Sequence, residues 1–147
     1  MDPEHPVPCT GDGMLLQTLP PEAIDEIIQT AGAASSSPLV SLEVRQLGGE
    51  LGRAHPGSGA LAAVDAGYSL YAVGIAPTPE AAAQVRAHIE VVADAVLPWT
   101  AEQSYLNFAE TRREPRTLWT EEAYHRLRRI KATLDPDNMI RSNQPVH

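Results

Sequence analysis

Two polar side chains, Tyr105 and Asn107, are the best candidates for chemistry in this 147-residue chain. They flank Leu106 in a short apolar stretch that reads as a strand, where a period of two sends both side chains to one face. A tyrosine hydroxyl can donate or accept a proton, and an asparagine amide can hydrogen-bond the polar edge of a ligand. The same two residues could equally form a cross-strand pair on a sheet surface.

Other reactive residue types are scattered. The histidines are His5, His55, His88, His125 and His147, and no two have metal-ligand spacing on one element. Cys9 is the single cysteine, so neither an internal disulfide nor a CxxC zinc site can form within the chain. Ser35 to Ser37 lacks the Gly-x-Ser-x-Gly setting of a nucleophile and reads as a loop. Gly48-Gly49 and the Gly57–Gly59 pair lack the strand–turn–helix context and the lysine of a phosphate cradle, which leaves them as turns.

The elements that would position Tyr105 and Asn107 follow from periodicity. Pro20-Pro21 opens a helix whose face carries Ile24, Ile27, Ile28 and Ala31, with Gly32 at the C-terminal cap. Leu39 to Leu47 alternates, Val40, Leu42 and Val44 against Ser41, Glu43 and Arg45, as a half-buried strand does. Ala60 to Val64 is a possible short strand, and Tyr68 to Ala76 a stronger one, with Tyr71, Val73 and Ile75 on one face. Thr78-Pro79-Glu80 is a helix start, and Val85, Ile89, Val92 and Val96 form the buried stripe of a helix running to about Val96. Thr120 caps a last helix, with Glu121 and Glu122 in its first turn and Trp119 and Tyr124 placed as a hydrophobic staple. Its apolar face, Ala123, Leu127, Ile130 and Leu134, is expected to be buried, and Asp135-Pro136 ends it. The fold class expected is α+β: one antiparallel sheet covered on one face by helices near 21–31, 79–96 and 121–134. Residues 1–18 are expected as a mobile N-terminal arm and residues 19–147 as the domain.

The order Tyr105-x-Asn107-Phe108, a loop, Arg126-Leu127-x-x-Ile130-Lys131, Asp135 to Asn138, then Arg141-x-Asn143-Gln144-Pro145 resembles the C-terminal signature of the berberine bridge enzyme-like FAD-linked oxidases. The resemblance extends more weakly back to about Leu19 and does not reach the N-terminal FAD-binding domain of that family. It implies a substrate-binding domain in which Tyr105 acts as a catalytic group and Tyr105 and Asn107 lie at the flavin ring of FAD. Two positions depart from the family pattern. Where plant members that use a glutamate base carry it, four residues past the second glycine, this chain reads Glu50, Leu51, Gly52, Arg53 and Ala54. A His-Arg pair that many members have before the Tyr68 strand aligns with Ala63-Val64.

The formal net charge of −8 argues against nonspecific nucleic-acid binding. It is uneven: 12 acids face three arginines through Thr100, and beyond it seven acids face eight Arg and Lys. That places Arg112, Arg113, Arg116, Arg126, Arg128, Arg129 and Lys131 in a solvated loop and helix face, or in a patch that meets an acidic surface. No run approaches the ~18 apolar residues of a membrane helix, and residues 1–13 lack the pattern of a signal peptide, so a cytoplasmic protein is expected. Three functional readings stand. The chain is part of an FAD-linked oxidoreductase that acts on a small molecule with a separate flavin-binding domain. Or it is a standalone domain with a non-redox role, such as isomerisation or cyclisation. Or it is a noncatalytic binding or interaction protein. The face that would meet the flavin domain needs a cover, so a homodimer or a heteromeric complex is expected.

Overall fold

The computed structural model describes residues 5–147. Three antiparallel strands form one sheet: β1 (Cys9–Leu16), β2 (Leu39–Gln46) and β3 (Tyr68–Ile75), in the order β1-β3-β2. Two long helices, α1 (Pro21–Ala31) and α2 (Pro79–Val96), lie together on one face of it. A short helix α3 (Pro115–Leu118) and a longer one, α4 (Glu121–Leu134), follow. This is the α+β class expected.

The helix-covered face alternates as a half-buried sheet should. Leu70 and Ala72 of β3 and Leu16 of β1 are fully buried, and Val85, Ile89, Val92 and Val96 of α2 close over them. Burying each Leu, Ile or Val side chain among them stabilises the fold by roughly 1.5–3 kcal/mol. Thr78 caps α2 by accepting the Ala81 N–H at 3.2 Å, with Pro79 at the first helical position. His88 ties the two helices together through the Thr30 carbonyl at 3.0 Å. Leu42 and Val44 of β2 are half-buried toward this core, while a bulge between Leu39 and Ser41 turns Val40 out to 58% exposure.

Several expectations are corrected. Eight of the residues expected as an arm over 1–18 form β1, paired along its whole length from Cys9↔Ile75 to Leu16↔Tyr68; residues 1–4 lie outside the described residues. Gly11 and Gly13 mask this strand, since glycine ordinarily weakens one. They are there for space. A Cβ on Gly11 would lie 2.6 Å from the Tyr71 hydroxyl, and one on Gly13 2.6 Å from the Phe108 Cβ. Ala60 to Val64 is loop, with Val64 and Ala66 packed beside Leu15 in a second apolar cluster. Lastly, α4 does not cover the sheet. Its caps are as expected, with Thr120 accepting the Ala123 N–H at 3.2 Å and Trp119 stacked on Tyr124 at 5.8 Å. Yet no residue of α4 is buried; Ile130 is 44% and Leu134 77% exposed.

Candidate functional site

The sheet face opposite α1 and α2 carries Tyr71 of β3, with Glu43 of β2 directly across from it and Gly13 of β1 on the other side. The chain returns over this face after α2. Its course is set by pairing to the free edge of β1: Gln17 donates to Trp99 O at 2.8 Å and Ala101 to Leu15 O at 2.8 Å. The segment carrying Tyr105 and Asn107 then crosses the sheet.

That segment is a 3-10 turn, Leu106–Phe108, and not the strand expected. The Phe108 N–H closes on Tyr105 O at 3.1 Å, so the turn satisfies its amides locally instead of extending into a ladder. Tyr105 and Asn107 are therefore not aligned by a pleat. Tyr105 is half-buried and packs on the Leu15–Val64–Ala66 cluster. Asn107 is exposed. Between them and the sheet, Phe108 joins three aromatic rings into a strip: its centroid lies 5.2 Å from Tyr71 and 5.7 Å from Tyr105, edge-on to the latter. The Arg45 guanidinium sits 5.3 Å above the Phe108 ring and pairs with Glu43.

A polar cluster fixes the turn to β1. Glu110 accepts the Gly11 N–H at 2.9 Å through one carboxylate oxygen and the Tyr71 hydroxyl through the other. Asp12 accepts the Glu110 N–H at 3.2 Å, the Thr111 hydroxyl at 2.6 Å and Arg113 at 2.6 Å. Burial raises the Tyr71 hydroxyl to about 12, reinforced by its hydrogen bond to Glu110 and by the Glu110 and Asp12 charges, so it is a donor at neutral pH and not a base. The far end of the motif returns to the same loop. Gln144, 4% exposed, donates to Thr111 O at 2.7 Å and Ala109 O at 3.3 Å and accepts the Arg113 N–H at 2.9 Å. The tail reaches it by a reversal at Asp135, whose carboxylate takes the Met139 and Ile140 amides at 2.7 and 3.0 Å and pairs with Lys131. These contacts tie the tail to the loop that follows the Tyr105 turn.

Sequence reading named Tyr105 and Asn107 but passed over Tyr71, Glu110 and Asp12. The available signals were the Gly11-Asp12-Gly13 run and an acid three residues beyond Asn107. Arg53, at the position of the expected base, pairs with Glu50 at 3.1 Å, and Val64 is buried. Among the described residues no group of three or more His, Cys, Asp and Glu could hold a metal ion. Among them also, no helix is long and apolar enough to cross a membrane.

As for the implied FAD, no buried side-chain polar atom among the described residues lacks a partner, so spare hydrogen-bonding capacity lies on exposed groups such as Asn107. A half-buried aromatic strip beside such an amide fits one edge of a flavin ring. Neither Tyr105 nor Asn107 lines the clefts along α4. One of about 580 Å³ runs between the 58–65 loop and α4, and one of about 440 Å³ between α4 and the tail; Trp119, Leu127 and Ile130 line both.

Residues 104–147 match the family model described as Berberine and berberine like. No curated protein matches the chain by sequence. Among solved structures, wild-type BBE-like 1 of Physcomitrella patens superposes with a TM-score of 0.78 at 16% identity, over 99% of this chain and 32% of its own. A single-site variant of that protein gives 0.76 at 15% identity, over 99% and 32%. At that identity the likeness is one of fold. The chain spans about a third of the length of the structures it matches.

Proposed function

We propose, for a chain whose C-terminal segment is of the berberine and berberine-like kind, that it is the substrate-domain part of an FAD-linked oxidoreductase acting on a small molecule. The observation that carries this is the sheet face that α1 and α2 leave uncovered: three half-buried aromatic rings in a strip, with the exposed Asn107 amide at its end. Asn107 would hold the polar edge of the flavin, and Phe108 and Tyr105 would bound its ring. Tyr105 would move or hold a proton at the substrate oxygen or nitrogen that is being oxidised. FAD, when bound there, supplies the hydride-accepting chemistry. The rest of the cofactor groove comes from a separate flavin-binding domain. That division of labour is consistent with the third of the length that this chain spans.

The test is a titration of FAD into the purified chain, followed by flavin fluorescence. Asn107→Ala should weaken binding by about tenfold, the worth of one hydrogen bond of ~1.4 kcal/mol. Tyr105→Phe keeps the ring and should leave FAD affinity nearly unchanged while lowering turnover by roughly 10²–10⁴-fold in the complete enzyme. Equal FAD affinity in Asn107→Ala and the parent would remove the site. A second reading, a non-redox isomerase or cyclase, is favoured by Arg53 standing where a base is expected and paired to Glu50. Turnover of a ligand with no flavin present would establish that reading instead.

A further inference from the structure

Glu110 is held by neutral donors, not by an ion pair. Its carboxylate reaches two strands at once, the Gly11 amide of β1 and the Tyr71 hydroxyl of β3, while its own N–H is taken by Asp12. It lies three residues past Asn107, immediately after the turn. Tyr71 in turn packs on Phe108, and Phe108 on Tyr105. The glycines at positions 11 and 13 clear the space: a Cβ at either would come within 2.6 Å of the Tyr71 hydroxyl or of Phe108. Asp12 and Arg113 hold residues 110–113 to β1, Arg113 also donating to Gly13 O at 3.0 Å. They hold the loop after the turn, whereas Glu110 reaches across β1 to the ring beneath the turn.

We propose that Glu110 is the positioning residue of this site: through Tyr71 and the Gly11 amide it seats the Tyr105–Phe108 turn on the open sheet face, and so sets where Tyr105 and Asn107 point. This rests on the reading that those two side chains face the ligand. The chemistry is particular to a carboxylate. Both partners of Glu110 are donors, and a carboxylate accepts from both. A glutamine of the same size has one acceptor oxygen, so one of the two donors would face an NH₂ group.

The experiment uses the full chain and two readouts: the NMR resonances of the Tyr105 and Phe108 rings, which report ring geometry whether or not anything binds, and FAD affinity by fluorescence. In Glu110→Gln both ring sets should move and FAD binding should weaken about tenfold. Tyr71→Phe should move them in the same direction, and the double variant should be no worse than Glu110→Gln, because both break one linkage. Rings that stay in place in Glu110→Gln, with only a lower melting temperature, would overturn the proposal in favour of a purely stabilising carboxylate. If Glu110→Gln does not fold, Tyr71→Phe decides by the same ring shifts, since it keeps the ring and removes only the hydroxyl. A parent chain on which FAD, even with the separate flavin-binding domain present, shifts no resonance of residues 105–110 would sink the functional reading and leave the ring shifts to decide the role of Glu110.

Discussion

α2 and α4 are written in the same way and end in opposite situations. Each begins at a threonine whose hydroxyl accepts the amide three residues on, and each carries an apolar residue every third or fourth position. The α2 stripe is buried against the sheet and α1. On α4 Ala123 and Leu127 are half-buried, and Ile130 and Leu134 stand in the open. Periodicity thus names the face a helix would bury, and says nothing of whether the same chain supplies the cover. A 14-residue helix is marginal on its own in water. α4 is held by its cap, by the Trp119–Tyr124 stack and by the Asp135 reversal, all at its ends.

The largest expected difference is in matched truncations. Ile89→Ala should cost about 2–5 kcal/mol in urea unfolding, since the residue is 7% exposed and its removal leaves a cavity. Ile130→Ala should cost no more than about 0.5 kcal/mol in the same assay. Equal losses would mean that α4 is covered after all.

The caps give a smaller contrast. Thr78→Ala should lower global stability by about 1 kcal/mol. Thr120→Ala removes an equivalent bond, but the loss should appear as faster amide exchange within α4, with a smaller shift of the global midpoint.

Both helix starts were legible in the sequence because Thr-Pro-Glu and Thr-Glu-Glu are local signals, and β2 and β3 because they alternate. β1 was not, since Gly11-Asp12-Gly13 breaks the alternation to make room for Tyr71 and Phe108, both far along the chain. The turn at Tyr105 read as a strand because four residues, Tyr-Leu-Asn-Phe, cannot separate an extended from a 3-10 path. The site was legible only where a motif marked it. Tyr105 and Asn107 stand in a recognisable string, whereas Glu110 meets Tyr71 across 39 residues and Asp12 meets Thr111 across 99, and no local pattern announces such pairs.

The smallest effects are in pH. The unfolded chain releases the Tyr71 proton near its ordinary value of about 10, and the folded chain keeps it until about 12. The stability due to this group is therefore complete below pH 10 and falls as pH rises from about 10 to about 12; Tyr71→Phe should flatten the melting temperature over that window. At the end of α4 the sign reverses. Lys131, with the Ile140 and Met139 amides, holds the Asp135 carboxylate below its ordinary range. Its contribution is present above an ordinary aspartate value of about 4 and is lost as pH falls through the lower folded value. Because Asp135 joins only the last turn of α4 to the tail, the loss should be local: amides of residues 138–140 should exchange faster in acid, and Asp135→Asn should show the same at neutral pH.

Native-state hydrogen exchange on the full chain, with and without FAD, tests both halves of the contrast at once. The α2 amides should be protected to nearly the global unfolding free energy, and the α4 amides far less. Added FAD should slow exchange at residues 105–110 and leave α4 as it was. Protection of α4 equal to that of α2 would contradict the uncovered helix, and an unchanged 105–110 segment would contradict the flavin-facing site.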